Sequence, residues 1–259
     1  MSRPSLQILK IGGNVLADPR KLEAVLTLFA SWKGPAILVH GGGKRATQLA
    51  HQLGIEAQMI EGRRITDAAM LEIVTMVYAG LLNKQLVAQL QAKACNAIGL
   101  SGADGNFIQA HKRIVKDLDY GFAGDIDQVN VEGLKNLLEG SFRPVFCAIT
   151  HDRKGQLLNT NADTIAATLA TAMAPHFQVS LQYCFEKPGV LRDAADDSSV
   201  IPLLDSALYQ SLKSSGAIHS GMIPKLDNAF AALTAGVKEV VIGHTESLAD
   251  GKATIVRNE

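Results

Sequence analysis

Short apolar runs alternate along this chain with stretches whose apolar residues recur at helical spacing, and that alternation restricts the fold more than any other feature. LQILKI (6–11) reads as a strand. Asp18 and Pro19 then supply an N-cap and first turn for a helix carrying Leu22, Val25, Leu26 and Phe29 on one side. AILVH (36–40) leads through a glycine run into a helix reaching about Leu53, and Thr66 suits the cap of a long helix with Met70, Ile73, Val74, Val77 and Leu81 on one face. AIGL (97–100), a hairpin around FIQAHKR (107–113) inside an insertion, a helix near 131–138, PVFCAI (144–149) and a helix over 161–173 continue the series. VSLQYCF (179–185), VKEVVIG (237–243) and ATIVR (253–257) complete the strands, with helices near 205–213 and 225–235. Such alternation predicts an α/β fold with a mostly parallel sheet covered on both faces, whose ligands gather at the carboxyl ends of strands.

The bulk numbers narrow the function classes. A chain of 259 residues, 47% of them hydrophobic, can bury a large core. Lys+Arg and Asp+Glu each total 25, so no global field draws nucleic acid or an acidic membrane, and any anion site must be local. The start, MSRPSLQILKIGG, has no long apolar signal region, Ser2 stands where myristoylation needs glycine, and no span of about 20 apolar residues occurs. A cytoplasmic protein is expected. Cys95, Cys147 and Cys184 are scattered in apolar settings without a C-x-x-C pair, and read as reduced core residues.

Glycine clusters stand at the ends of the first two strands: K-I-G-G (10–13) and H-G-G-G (40–43). Glycine lets backbone N–H groups approach an anion closely, so a run opening a helix is either a phosphate cradle or a tight strand-to-helix turn. Neither cluster is a P-loop, and H-G-G-G-K-R-A lacks the third glycine of a dinucleotide fingerprint. A cation in the first turn of a helix opposes the macrodipole, yet Lys44 and Arg45 follow the glycines and Lys225 follows Pro224. Each is a solvated side chain or the counter-charge of a bound anion. Lys10 lies inside an apolar strand end, where lysine is rarely buried without a partner. In N-T-N-A-D (159–163), Asn161 can serve simply as an N-cap, with Asp163 complementing the dipole. Arg64, in E-G-R-R-I-T-D, is either a surface charge or a bidentate carboxylate ligand. His40 beside the glycines is expected to serve local packing or hydrogen bonding.

K-I-G-G, H-G-G-G, G-R-R-I-T-D, G-L-S-G-A-D-G (99–105), G-F-A-G-D-I (121–126), N-T-N-A-D and G-M-I-P-K (221–225) occur together in the order seen in the amino acid kinase family, which the chain resembles from about residue 6 to its end. The resemblance is closest to those members that phosphorylate an N-acyl-L-glutamate. It implies a three-layer αβα sandwich, with an acyl-amino-acid and dimerisation lobe at 1–176 and an ATP lobe at 177–259. It implies ATP-dependent phosphorylation of the γ-carboxylate of N-acetyl-L-glutamate in arginine biosynthesis, with Mg²⁺ held through the nucleotide phosphates. By the same resemblance Lys10 and Lys225 stabilise the transferring phosphoryl group, and Asp163 orients them. Gly12 and Gly13 line the γ-phosphate path, while Gly42, Gly43, Arg64 and Asn159 hold the substrate. Nucleotide contacts are implied at Glu186, Lys187, Gly189, Val190 and Leu191, and at Ala217, Ile218 and His219. No protein metal ligand, nucleic acid or membrane partner is implied.

The chain departs from the family in places. F-E-K-P-G-V replaces the common T-D-V-P-G-V, which alters the expected nucleotide contacts at Glu186 and Lys187. Lys44 and Arg63 stand where uncharged residues are expected, so a larger acidic acyl group such as succinyl is an alternative substrate, and surface drift the bland account. A catalytically inactive amino-acid or nucleotide sensor is the alternative from another class; retention of Lys10, Asp163 and Lys225 argues against it. The first strand starts too early for the N-terminal helix of arginine-inhibited hexamers, so a homodimer insensitive to arginine is expected.

Overall fold

The first apolar run becomes β1 (Ser5–Ile11), in which Leu6, Ile8, Leu9 and Ile11 are fully buried. Burial of neighbouring residues on both faces is what a strand inside a parallel sheet requires. This computed structural model describes every residue except Met1, Ser2, Glu61, Gly62, Asp117, Ala217, residues 219–221 and Glu259. After β1 come α1 (Gly13–Ala17), α2 (Pro19–Ser31), β2 (Ala36–His40), α3 (Gly43–Gln52), β3 (Met59–Ile60), β4 (Arg63–Arg64), α4 (Ala68–Thr75), a π-helix (Met76–Leu82), α5 (Asn83–Gln91) and β5 (Ala97–Leu100). The middle of the chain supplies β6 (Ile108–Lys112), β7 (Gly124–Val129), α6 (Val131–Glu139), β8 (Arg143–Cys147), β9 (Ile149–His151), β10 (Leu157–Asn159) and α7 (Ala162–Met173). The last part supplies β11 (Gln178–Cys184), β12 (Leu203–Leu204), α8 (Ser206–Ser214), α9 (Ile223–Thr234), β13 (Glu239–Gly243), α10 (Thr245–Ala249) and β14 (Thr254–Val256).

Contacts group these elements into two units, residues 1–36 with 166–259, and residues 37–165. In the first unit the strands run β12–β14–β13–β11–β1. β1 pairs with β11 in parallel from Ser5↔Gln178 to Ile11↔Cys184, and β11 pairs with β13 in parallel. The direction reverses at β14, which lies antiparallel to β13, and the short edge strand β12 runs parallel to β14. The expected mostly parallel sheet is therefore present. A cut in chain order at 176/177 separates β1 from β11, whereas their hydrogen bonds hold them together. Helix α2 begins where Asp18 Oδ1 accepts from the backbone N–H groups of Arg20 and Lys21, and it buries Val25, Leu26 and Phe29.

In the second unit β2, β8 and β5 pair in parallel in that order, and β10–β9–β6–β7 form a separate four-stranded sheet. Every residue of β2 is buried. Two local expectations are corrected here. Asp67, not Thr66, caps α4: its Oδ1 accepts from Met70 N at 2.8 Å, while Thr66 is buried. The long helix is broken by the π-helix, so Met70, Ile73, Val74 and Val77 are buried as the periodicity predicts, but Leu81 is 41% exposed. A π-turn holds an extra residue, which rotates the following positions out of an i, i+4 register. Tyr78 and Asn83 are buried in this stretch instead. The three cysteines are buried free thiols. No helix among the described residues is long and apolar enough to cross a membrane.

Candidate active site

The first unit holds a cavity of about 440 Å³ just past the carboxyl end of β11, lined by Phe185, Glu186, Lys187, Gly189–Leu191, Ala194, Ile218, Met222 and Lys225. Its shape follows from close packing behind Gly189, where a Cβ would meet Thr254 Oγ1 at 2.6 Å and Val200 Cγ1 at 2.7 Å. The next residue is pinned at both backbone groups. Val190 N–H donates to Thr254 Oγ1 at 2.8 Å and its carbonyl accepts from Ile201 N at 2.8 Å. Lys187 makes an exposed ion pair with Asp197 at 2.8 Å, and Glu186 is exposed. An ion pair so open to water contributes little. Lys225, in the first turn of α9, reaches the cavity as a cation beside a positive dipole end, a placement that a bound anion relieves.

Lys10 sits one residue before the end of β1, opposite Tyr183 on β11. Its charge is felt by the Cys184 thiol, which burial pushes up to about 11 against the pull of the Thr245 hydrogen bond and of Lys10. Gly12 N–H donates to the Cys184 carbonyl at 3.0 Å, continuing the β1–β11 ladder past its last pair, and Gly13 opens α1.

The second unit holds a smaller cavity of about 180 Å³ between the N-terminal ends of α3 and α7. Gly41–Gly43, Arg63, Arg64, Tyr78, Asn159 and Asn161 line it, together with Met59, Ala123, Ala148, Thr160 and Ala162. The charged residues in its lining are both arginines, and two helix N-termini add partial positive charge, so the cavity suits an anionic ligand. Arg64 is only 8% exposed. Its Nη2 donates to the Gly43 carbonyl at 3.0 Å and to Thr47 Oγ1 at 2.8 Å, tying β4 to the first turn of α3. Asn159 Nδ2 donates to Thr66 Oγ1 at 3.0 Å, and Thr66 Oγ1 donates to the Arg64 carbonyl at 3.2 Å, so Asn159 and Arg64 are held by one network. Asn161 Oδ1 accepts from Asp163 N at 2.8 Å and Thr164 N at 3.1 Å, the N-cap that its place in the sequence suggested. Asp163 lies in the first turn of α7. Among the described residues no group of three or more His, Cys, Asp or Glu is arranged to hold a metal ion.

Tyr78 is a lining residue that the sequence did not single out. The π-helix carries it against Gly42, where a Cβ would meet the Tyr78 ring and Leu82 Cδ1 at 2.6 Å, so only glycine fits. Burial pushes the Tyr78 hydroxyl up, partly offset by the Arg64 charge. Behind the glycines, His40 is fully buried with Nδ1 2.8 Å from the Gly41 carbonyl and Nε2 3.1 Å from Asn83 Nδ2. A carbonyl can only accept, so Nδ1 carries the proton and Nε2 receives the Asn83 N–H. Asn83 Nδ2 also donates to the Val145 carbonyl at 2.8 Å, which fastens the start of α5 to β8. Burial lowers the His40 pKa from 6.5 to about 4, keeping the ring neutral.

The structure thus gathers Gly42, Gly43, Arg64 and Asn159 at one cavity, and Glu186, Lys187, Gly189, Val190, Leu191, Ile218 and Lys225 at the other. Ala217 and His219 lie outside the described residues. Lys44 is exposed and absent from the lining, whereas Arg63 is part of it.

Residues 5–244 match the profile of the Amino acid kinase family. The chain is 51% identical to an acetylglutamate kinase of Phocaeicola vulgatus, over 98% of this chain and 99% of that one. It is 54% identical to an acetylglutamate kinase of Cytophaga hutchinsonii, over 95% of this chain and 93% of that one. The fold is also that of N-acetylglutamate synthase from Neisseria gonorrhoeae complexed with coenzyme A and N-acetyl-glutamate, with a TM-score of 0.84 and 21% identity over 99% of this chain and 60% of that one.

Proposed function

Since the chain belongs to the amino acid kinase family, we propose that it transfers the γ-phosphoryl group of ATP to the γ-carboxylate of N-acetyl-L-glutamate, forming an acyl phosphate in arginine biosynthesis. The observation that carries this reading is the identity of about half the residues, along nearly the whole chain, with proteins named acetylglutamate kinase. The cavity of residues 41–162, with arginines as its charged lining, supports its use for the acylated amino acid. The cavity of residues 185–225 supports its use for the nucleotide. These two uses assign the acylated amino acid to the unit of residues 37–165 and the nucleotide to the unit of residues 1–36 with 166–259.

A γ-carboxylate with an ordinary pKa of about 4.3 is ionised at neutral pH, so the nucleophile needs no general base. The obstacle is the approach of two anions. Lys10 and Lys225 are assigned to the transferring phosphoryl group, with Asp163 orienting them and the Gly12 and Gly13 backbone along the phosphate path. Fixed cations and amide dipoles lower the barrier of phosphoryl transfer by stabilising charge in its transition state. Mg²⁺ is assigned to the nucleotide phosphates, where it neutralises charge; such coordination draws on few protein carboxylates. A homodimer in the cytoplasm completes the reading, and light scattering tests the assembly.

The direct test is ATP, Mg²⁺ and N-acetyl-L-glutamate with hydroxylamine as trap. Hydroxamate formation at a rate dependent on all three is expected. Absence of hydroxamate with every N-acyl-L-glutamate offered would overturn the kinase in favour of a sensor.

A further inference from the structure

We infer that Ser247 and Thr254 are positioning residues for the nucleotide, their hydroxyls holding the backbone of residues 188–190 in place as one wall of the 440 Å³ cavity; this rests on the use of that cavity for ATP. Thr254 is fully buried at the start of β14, and Ser247 is buried in α10. A hydroxyl so far from water is costly unless it is hydrogen-bonded. Thr254 Oγ1 is bonded in both senses: it accepts from Val190 N–H at 2.8 Å and donates to the Ile201 carbonyl at 2.7 Å. Ser247 Oγ donates to the Pro188 carbonyl at 2.7 Å, with the His244 carbonyl at 3.0 Å as a second acceptor. The backbone on either side of Gly189 is thus tied to elements that follow β13, while Gly189, Val190 and Leu191 line the cavity.

Two glycines make these bonds possible. A Cβ on Gly189 would meet Thr254 Oγ1 at 2.6 Å, and one on Gly243 would meet Ser247 Oγ at 2.5 Å and the Pro188 carbonyl oxygen at 2.8 Å. Each hydroxyl therefore sits where a missing side chain lets backbone approach it. Both lie past residue 244, where the match to the family profile ends, and no motif that carries the resemblance includes them. A wall held by the protein's own hydrogen bonds spares the ligand the entropy of ordering it, so loss of those bonds falls on nucleotide affinity. Valine in place of Thr254 keeps the shape but leaves the Val190 N–H and the Ile201 carbonyl unpaired, and the segment must shift towards water to satisfy them.

The experiment titrates the full chain with mant-ATP in Mg²⁺, and measures KM for ATP and for N-acetyl-L-glutamate in the hydroxamate assay. Thr254→Val is expected to raise the Kd of mant-ATP and the KM for ATP by about 10-fold, with the KM for N-acetyl-L-glutamate unchanged. Thr254→Ser, which keeps the hydroxyl, is expected to restore most of the affinity. Ser247→Ala is expected to raise the same two constants by about 3- to 10-fold. A purely structural role would lower the urea midpoint and leave both nucleotide constants of the folded protein unmoved. That result in either variant overturns the inference for its residue, and an equal rise in the two KM values overturns it for both. Binding of mant-ATP without hydroxamate from N-acetyl-L-glutamate overturns the proposed reaction, and the titration alone then decides this inference. No binding of mant-ATP by the unaltered protein overturns both. Should Thr254→Val not fold, Ser247→Ala and Thr254→Ser decide.

Discussion

At the scale of single residues, His40 shows how the glycine cradle is held. Its neutral ring bridges the Gly41 carbonyl and Asn83, so a buried side chain outside the cavity lining fixes the backbone beside the cavity. The same burial has a pH signature. The folded pKa of about 4 lies below the ordinary histidine value of 6.5, so below pH 6.5 the unfolded chain takes up a proton that the folded one refuses. Stability from this group is complete above pH 6.5 and is lost as pH falls towards 4, by about 2 kcal/mol at pH 5. Urea unfolding at pH 8 and pH 5 should show a drop that is smaller in a His40→Asn protein by about that amount; equal drops would mean that His40 takes up a proton as readily in the folded chain. His40 beside a glycine run was readable from the sequence, but its partner Asn83, 43 positions away, was not.

At the scale of elements, the π-helix is the decisive departure from periodicity. A 3.6-residue pattern placed Leu81 inward, and the wider turn turned it out while bringing Tyr78 to the cavity and Asn83 to His40 and β8. Nothing in M-V-Y-A-G-L-L marks the extra residue, because the local sequence suits an α-helix equally well. Gly80 lies in this segment, exposed, with open space where a Cβ would stand. Gly80→Ala should therefore raise the unfolding free energy by about 0.5–1 kcal/mol through loss of unfolded-state freedom, seen as a higher urea midpoint at an unchanged m-value. A lower midpoint would show that the π-turn depends on glycine itself. The β3–β4 ribbon was equally illegible, since two residues per strand carry no period, yet it presents Arg63 and Arg64.

At the scale of the molecule, chain order and packing order differ. β1 comes first in sequence but pairs along its whole length with β11, so residues 1–36 group with 166–259. A fragment of residues 177–259 begins before β11 and lacks β1, leaving a long apolar strand edge unpaired. It should show no cooperative unfolding and little amide dispersion by NMR, whereas a chain joining 1–36 to 166–259 through a short linker should regain both. A folded 177–259 fragment would show that β11 needs no partner.

Legible from the amino acids alone was whatever depends on near neighbours: strand and helix alternation, Asp18 and Asn161 as caps, and the glycines that must open α3. Family resemblance pointed to Arg64, Asn159, Glu186, Lys187 and residues 189–191, whose motifs are short and local, and these residues line the two cavities, Lys187 among them. Folding alone settled which distant residues share a cavity. It set Tyr78 against Gly42, bound Arg64 to Gly43 and Thr47, brought Arg63 but not Lys44 into the lining, and returned β1 to β11. These arrangements depend on long-range packing and hydrogen bonding, which leave no periodic trace in a single chain.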